Sequence, residues 1–226
     1  MPETSVLVIE TSTPAASLAF VDAAGAIHQQ EFTSDRSHNA LLFPPLKELI
    51  GNEPAGSIRL VLAGSGPGSY SGTRVGLSAG QGVALAHGCP AIAFPSILAL
   101  PQAENGAAYL VIGDARRGSF WTSEVENFRL KSEPTLTDAD GLKAAVATAI
   151  SAGHPIISFE EPSRFPLDES VLERIRLGFP SAKLLWRAWT STDEETRAHW
   201  TAAVPQPMYL KPPHITPAKR SWLINK

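Results

Sequence analysis

The sequence predicts an α/β protein made of two blocks of similar element order, the second shortened. Three observations carry this. The first hundred residues open with three short strand-like runs separated by turns and then alternate helix and strand patterns. A shorter series of the same kind begins near Gly106. Between strand and helix in the first block lies SGPGSYSGTRVGLSAGQG (65–82), with six glycines spread through a loop and into a helical pattern.

VLVIE (6–10) is a buried strand by its β-branched run, and ASLAFVD (16–22) is a second. The AAG turn at 23–25 leads to a third, IHQQEFTS, so the three predict an antiparallel meander. HNALLFPPLKELIGN places Leu42, Leu46, Leu49 and Ile50 on one helical face, and Pro44-Pro45 predict a kink or a late start. IRLVLAG (58–64) is a buried strand, followed by the glycine-rich loop and a helix over about 73–87. PAIAFPS (90–96) is a strand and SILALPQAE a short helix.

In the second block, AAYLVIGDAR and GSFWTSEVE read as strands joined by a turn at Arg116-Arg117-Gly118. DADGLKAAVATAISAG is a helix capped near Asp138, and PIISFE a strand. LDESVLERIRLGF and DEETRAHWTAAV read as helices, and PMYLKPP as a terminal strand. Three meander strands, then helix, strand, helix and strand, is the order of a ribonuclease-H-like domain. The predicted lobes are 1–104 and 105–226.

The composition excludes several function classes. With 19 basic and 22 acidic residues the net charge is −3, without the charge footprint of a nucleic-acid binder over the whole chain. The last sixteen residues contain Lys211, Lys219, Arg220 and Lys226 and no acid, which reads as a solubilising tail or as a contact to RNA or a partner. Cys89 is the single cysteine, so an internal disulfide is excluded and a reducing cytoplasm is expected; Cys89 itself reads as a small buried hydrophobe. Neither a secretory leader nor a membrane span is expected from the apolar runs.

The glycine block fails the familiar phosphate cradles. Five residues separate Gly66 from Gly72, and Thr73-Arg74 follows without the lysine of a Walker loop. The dinucleotide fingerprint breaks at Ser71, and the next strand lacks a ribose-binding carboxylate. Tyr70 stands where a nucleophile elbow would carry serine. What remains is an anion site at a helix N-terminus, with Ser69, Ser71 and Thr73 as caps and Arg74 nearby. No two histidines stand four apart, so a His-x-x-x-His metal site is not expected. Glu160-Glu161 and Glu194-Glu195 read as solvated surface.

Gly72, Gly76, Gly80, Ala84 and Gly88 recur every fourth residue and form a strip of small side chains along that helix. Val75, Ala79, Val83 and Ala86 form a separate apolar side, suited to the protein's own sheet. Glycines at 76, 80 and 82 cost roughly 3 kcal/mol of helix propensity, which close approach of a neighbour would offset. That neighbour is either the chain's own first helix or another subunit.

VLVIETST, SHNALLFPPL, GSGPGSYSGTRVGLSAGQGVALA, IGDARRGSFW and PMYL occur in the order and spacing of the TsaB (YeaZ) family, which the chain resembles over about residues 5–125. The resemblance implies an ASKHA (actin/sugar-kinase-like) fold of two ribonuclease-H-like lobes. It implies a non-catalytic scaffold subunit, with no cofactor of its own, in the cytoplasmic machinery for tRNA threonylcarbamoyladenosine. ATP and a metal are then expected on partner subunits, TsaD in a heterodimer and TsaE alongside, with tRNA met through the complex and a homodimer formed in isolation. It also implies that the small-residue strip is intersubunit, with Gly72, Gly76, Gly80 and Ala84 joined by Leu42 and Leu46. One departure is Glu10-Thr11-Ser12 where the family has Asp-Thr-Ser. In active ASKHA enzymes that aspartate helps hold a metal-nucleotide; Glu10 reads instead as a hydrogen-bonded structural residue. An ATP-binding kinase or nucleotidase acting alone, and a peptidase, are the alternatives.

Overall fold

A computed structural model describes residues 5–33 and 38–210. The N-terminal strand β1 (Ser5–Glu10) is buried along its whole length, as a central strand must be. It pairs antiparallel with β2 (Ala15–Val21), which pairs antiparallel with β3 (Ile27–Thr33), giving the expected meander. Helix α1 (His38–Ile50) crosses to β4 (Ile58–Gly64), parallel to β1, and α2 (Tyr70–His87) crosses to β5 (Ala91–Phe94), parallel to β4. The sheet order is β3-β2-β1-β4-β5. Helix α1 starts well ahead of Pro44 and contains both prolines, so there is no late start. Leu42 and Leu46, fully or nearly buried, hold it on the sheet.

Two short 3-10 turns, Ser96–Leu98 and Pro101–Asn105, lead into the second sheet where a short helix is predicted. There β6 (Tyr109–Asp114) pairs antiparallel with β7 (Phe120–Glu126), which also pairs with two short strands, β8 (Arg129–Leu130) and β9 (Thr135–Thr137). Asp138 caps α3 (Ala139–Ser151) by accepting the Gly141 N–H at 2.9 Å, and β10 (Ile156–Ser158) returns parallel to β6. The predicted helix over LDESVLERIRLGF is split: α4 (Glu169–Leu172) is one turn, and β11 (Ile175–Leu177) adds a parallel strand beside β10. Ile175 is buried in the cluster under α3, so tertiary pairing overrides the local helical pattern. Read from the meander outward, β8-β7-β6-β10-β11 repeats the order of the first sheet. The similar element order expected from the sequence is present in the two sheets, and the last strand of the second lies where the sequence suggested helix.

The C-terminal region is the main surprise. Helix α5 (Ala182–Ser191), not expected from the sequence, and α6 (Glu194–Ala202) pack back on the first sheet. Leu185, Ala188 and Trp189 lie in one cluster with Val6, Val8 and Leu62 of the first sheet and Val111 and Trp121 of the second. Ser17 Oγ accepts the Ala182 N–H at 2.8 Å inside this core. A boundary at 104/105 therefore separates the two sheets but not the packing units. Leu7, Ile9 and Val61, on the other face, meet α1 and α2. No strand forms over 204–210; that segment runs back to the first lobe, and the Met208 N–H donates to Ser65 O at 2.8 Å. The basic positions Lys211, Lys219, Arg220 and Lys226 lie outside the described residues.

Candidate functional site

The glycine block sets the geometry of the site. After β4, the Gly66 N–H donates to Ser96 Oγ at 3.0 Å, and the Ser69 N–H donates to Ser12 O at 2.6 Å. A Cβ at Gly68 would overlap Ser12 O, so only glycine lets the loop lie this close to the β1–β2 turn. Ser69 then caps α2, its Oγ accepting the Gly72 N–H at 3.2 Å.

Along α2 the small strip turns inward. Gly72, Gly76, Gly80 and Ala84 are buried. A Cβ at Gly76 would overlap Thr11 Oγ1 and approach Ile9 Cγ2 to 3.2 Å; one at Gly80 would meet Val61 Cγ1 at 3.2 Å. The neighbour that offsets the glycine cost is the chain's own β1 and β4, neither a partner nor the first helix. This corrects the intersubunit assignment, since Leu42 and Leu46 are buried in the same core. Of the side predicted to face the sheet, Val75, Ala79 and Val83 are only half-buried and Ala86 is exposed, and Gly88 ends the helix as a left-handed C-cap (φ 63°). Outward α2 presents Arg74, Ser78, Gln81, Gly82 and Leu85, with Leu85 85% exposed.

A cleft of about 560 Å³ opens between the ends of the two sheets. Its first-lobe wall includes Ser12, Ser69, Tyr70 and Thr73; its second-lobe wall includes Asp114, Arg116, Trp121 and Glu160. Residues 207–210 border the same space, with the Tyr209 ring 5.5 Å from that of Tyr70. Of the four predicted anion-site residues, Ser69 and Thr73 line the cleft, whereas Ser71 and Arg74 point outside it. Arg74 folds along its own helix, with its Nη1 donating to Tyr70 Oη at 2.6 Å and its guanidinium 5.0 Å from the ring centroid.

The second wall was missed because its residues come together only through the β6–β7 turn and the end of β10. Asp114 Oδ1 accepts the Arg116 N–H at 2.7 Å, and Oδ2 accepts Arg116 Nη1–H at 3.0 Å. Glu160 Oε2 accepts the Asp114 N–H at 2.9 Å. Burial, and then the charge of Asp114, raise the Glu160 carboxyl above its ordinary pKa against the opposing pull of that N–H and of Arg116 and Arg164. The Arg116-Arg117-Gly118 turn was legible in the sequence; its place at a cleft was not.

Glu10 is sealed from solvent and is not a cleft residue. Its Oε1 accepts the Ser12 N–H at 2.7 Å, while Oε2 has no partner. Burial raises its pKa, against the opposing pull of the polar groups of Ser12, Ser96 and Thr11 around it. Ser12 Oγ and Ser65 Oγ are likewise buried without partners. The structural reading of Glu10 fits this position. Cys89 is half-buried, and desolvation raises its thiol pKa. Among the described residues, no three His, Cys, Asp or Glu side chains gather as a metal site, and no helix is long and apolar enough to cross a membrane.

The family model described as "TsaD: tRNA N6-adenosine threonylcarbamoyltransferase" matches residues 29–171. A curated relative from Haemophilus influenzae, named tRNA threonylcarbamoyladenosine biosynthesis protein TsaB, is 30% identical over 142 residues, which are 59% of this chain and 58% of that protein. The Escherichia coli protein of the same name is 28% identical over 127 residues, 54% of each chain. The matches thus span little more than half the length of these relatives. Among solved structures, YeaZ from Pseudomonas aeruginosa superposes with a TM-score of 0.69 at 20% identity, covering 92% of this chain and all of that one. A second structure, titled as an uncharacterised protein similar to peptidase YeaZ from Pseudomonas aeruginosa, gives 0.66 at 18% identity and the same coverage. These structures support the fold, a two-lobed ASKHA-like arrangement of two related sheets. With the family model matched over more than half of its length, the chain belongs to the TsaB/YeaZ family.

Proposed function

We propose that this protein takes part in tRNA threonylcarbamoyladenosine biosynthesis as a non-catalytic subunit that pairs with TsaD in the cytoplasm. The observation that carries the reading is the family match over residues 29–171, joined by the TsaB names of the curated relatives. ATP and a metal would be held by TsaD and TsaE, and tRNA would be met in the complex. The burial of Glu10 supports a non-catalytic role, because a carboxylate with no exposed surface is poorly placed to meet a metal-nucleotide in the cleft. The partner face shifts from the buried strip to the outer side of α2. There Leu85 stands exposed one turn from Gly82, where a Cβ would meet nothing within 4 Å. An exposed leucine beside an open backbone suits close packing by another subunit, TsaD in the complex or a second copy in isolation.

The test is co-purification and reconstitution. The chain should elute with TsaD and support modification of tRNA when TsaD, TsaE and the threonylcarbamoyl-adenylate synthase are supplied. Leu85→Asp should melt like the parent yet weaken the TsaD complex at least tenfold. ATP turnover by the chain alone, abolished by Glu10→Ala, would instead establish the kinase or nucleotidase reading.

A further inference from the structure

Two features of the cleft rim lie outside the partner face proposed above. The first is the β6–β7 turn, where Arg116 and Arg117 hold φ of 67° and 59°. This left-handed region disfavours any residue with a Cβ, and a turn that only reverses the chain is better served by glycine or asparagine. Arg116 lines the cleft, and the exposed Arg117 follows it in the same turn. Asp114 gathers Arg116 and Arg164: its Oδ2 lies 3.0 Å from Arg116 Nη1 and 3.7 Å from Arg164 Nη1. These two arginine side chains stay 61% and 54% exposed, and Arg117 is exposed beside them. The acids beside them are Asp114, Glu160, whose Oε2 accepts the Asp114 N–H, and the exposed Glu161. Three exposed guanidiniums thus stand at this end of the cleft in a chain whose net charge is −3.

The second feature is the opposite lip. Tyr70 and Tyr209 stack with centroids 5.5 Å apart and planes tilted by 38°, and each remains about half exposed. Arg74 lies 5.0 Å from the Tyr70 centroid. Arg116, Tyr70 and Tyr209 line the same cleft.

We infer that this cleft is a groove for a single-stranded stretch of RNA, with phosphates on the Arg116, Arg117 and Arg164 lip and bases against the Tyr70–Tyr209 pair. Guanidiniums that remain exposed suit a chain of phosphates passing along the rim. Aromatic faces accept bases that have left a helical stack, which favours a loop or single strand over a duplex. The inference deepens the proposed role in tRNA modification and rests on that reading for RNA rather than DNA.

The experiment measures fluorescence anisotropy of a labelled mixed-sequence single-stranded RNA, about a dozen nucleotides long, with the full chain at roughly 50 and 200 mM salt. Competitors are the same sequence as a duplex, ATP and polyglutamate. Binding should fall with log salt at a slope of about −2, near −0.7 for each of three phosphate contacts. Arg117→Ala and Arg164→Ala should each flatten that slope by about 0.7. Tyr70→Ala should weaken binding about fivefold or more, and Tyr70→Phe should restore most of it. Parental melting of these variants separates binding from folding. The inference is overturned by no binding at the lower salt, by equal binding of duplex, or by full displacement by ATP, which would mark a mononucleotide site. Displacement by polyglutamate in preference to RNA would assign the groove to an acidic protein, and parental binding by stably folded variants would move the site elsewhere. A chain that supports modification but binds no RNA sinks this inference alone. One that binds RNA but supports no modification sinks the functional reading alone.

Discussion

Alanine at two glycines of the same helix should move stability in opposite directions. Gly76 and Gly82 both lie inside α2, so each replacement gains the same helix propensity, about 1 kcal/mol. At Gly82 a Cβ meets nothing within 4 Å, and the gain stands alone. At Gly76 it overlaps Thr11 Oγ1, whose hydroxyl donates to Gly72 O at 2.8 Å in the core. Turning Thr11 aside leaves buried polar groups unpaired, at about 1–3 kcal/mol, and overpacking against Ile9 adds about 1–3 kcal/mol. Gly76→Ala should therefore be less stable than the parent by roughly 1–5 kcal/mol, and less stable than Gly82→Ala by about 2–6 kcal/mol. At about 2–4 °C per kcal/mol for a chain of this size, Gly82→Ala melts a few degrees above the parent and Gly76→Ala clearly below it. Melting followed by circular dichroism reads both. If Gly76→Ala melts with Gly82→Ala, the strip does not face the sheet and the packing argument is wrong.

Glu10→Gln should flatten the dependence of stability on pH. An acid whose folded pKa is raised contributes stability below its unfolded value, near 4.5, that is lost as pH rises through the folded value. The melting difference between Glu10→Gln and the parent should thus shift in favour of the mutant as pH rises from about 4.5, and a difference constant with pH would show that folding leaves the Glu10 pKa unshifted. Ser17→Ala leaves the buried Ala182 N–H without its acceptor, so it should cost about 1–3 kcal/mol and speed hydrogen exchange in α5 before that in α3. Uniform acceleration in both helices would mean that α5 is not docked through this bond.

Much of the first lobe was legible because its strands are β-branched runs and its order is local. The loss came where packing chooses between faces that look alike in sequence. On α2 both strips are apolar, and side-chain type points Val75, Ala79 and Val83 toward the sheet. The sheet takes the glycines instead, because Ile9 of β1 and Thr11 just after it leave no room for a Cβ at Gly76. Helix α5 has a Ser181 cap and a Leu185-Ala188-Trp189 stripe, both readable, yet its docking site on β1 and β2 is set by long-range contacts. The cleft is the extreme case. Ser12, Tyr70, Arg116 and Tyr209 come from four separated parts of the chain and share no spacing that a sequence reading could use.

The return of α5 to the first sheet bears on how the cleft works. Val111, Trp121 and Ile157 of the second sheet share one cluster with Leu62 and Phe94 of the first, and Leu185 and Trp189 of α5 complete it. Swinging the lobes apart would bring some of these side chains into water. At about 1.5–3 kcal/mol for each large apolar side chain exposed, loss of even three contacts costs roughly 5–9 kcal/mol, comparable with the whole stability of many domains. The two lips are therefore held at a nearly fixed separation by a core that both lobes share. A ligand of the kind inferred above would meet Arg116 and Tyr70 already in place, and its selectivity would come from its fit to a preformed groove rather than from closure around it.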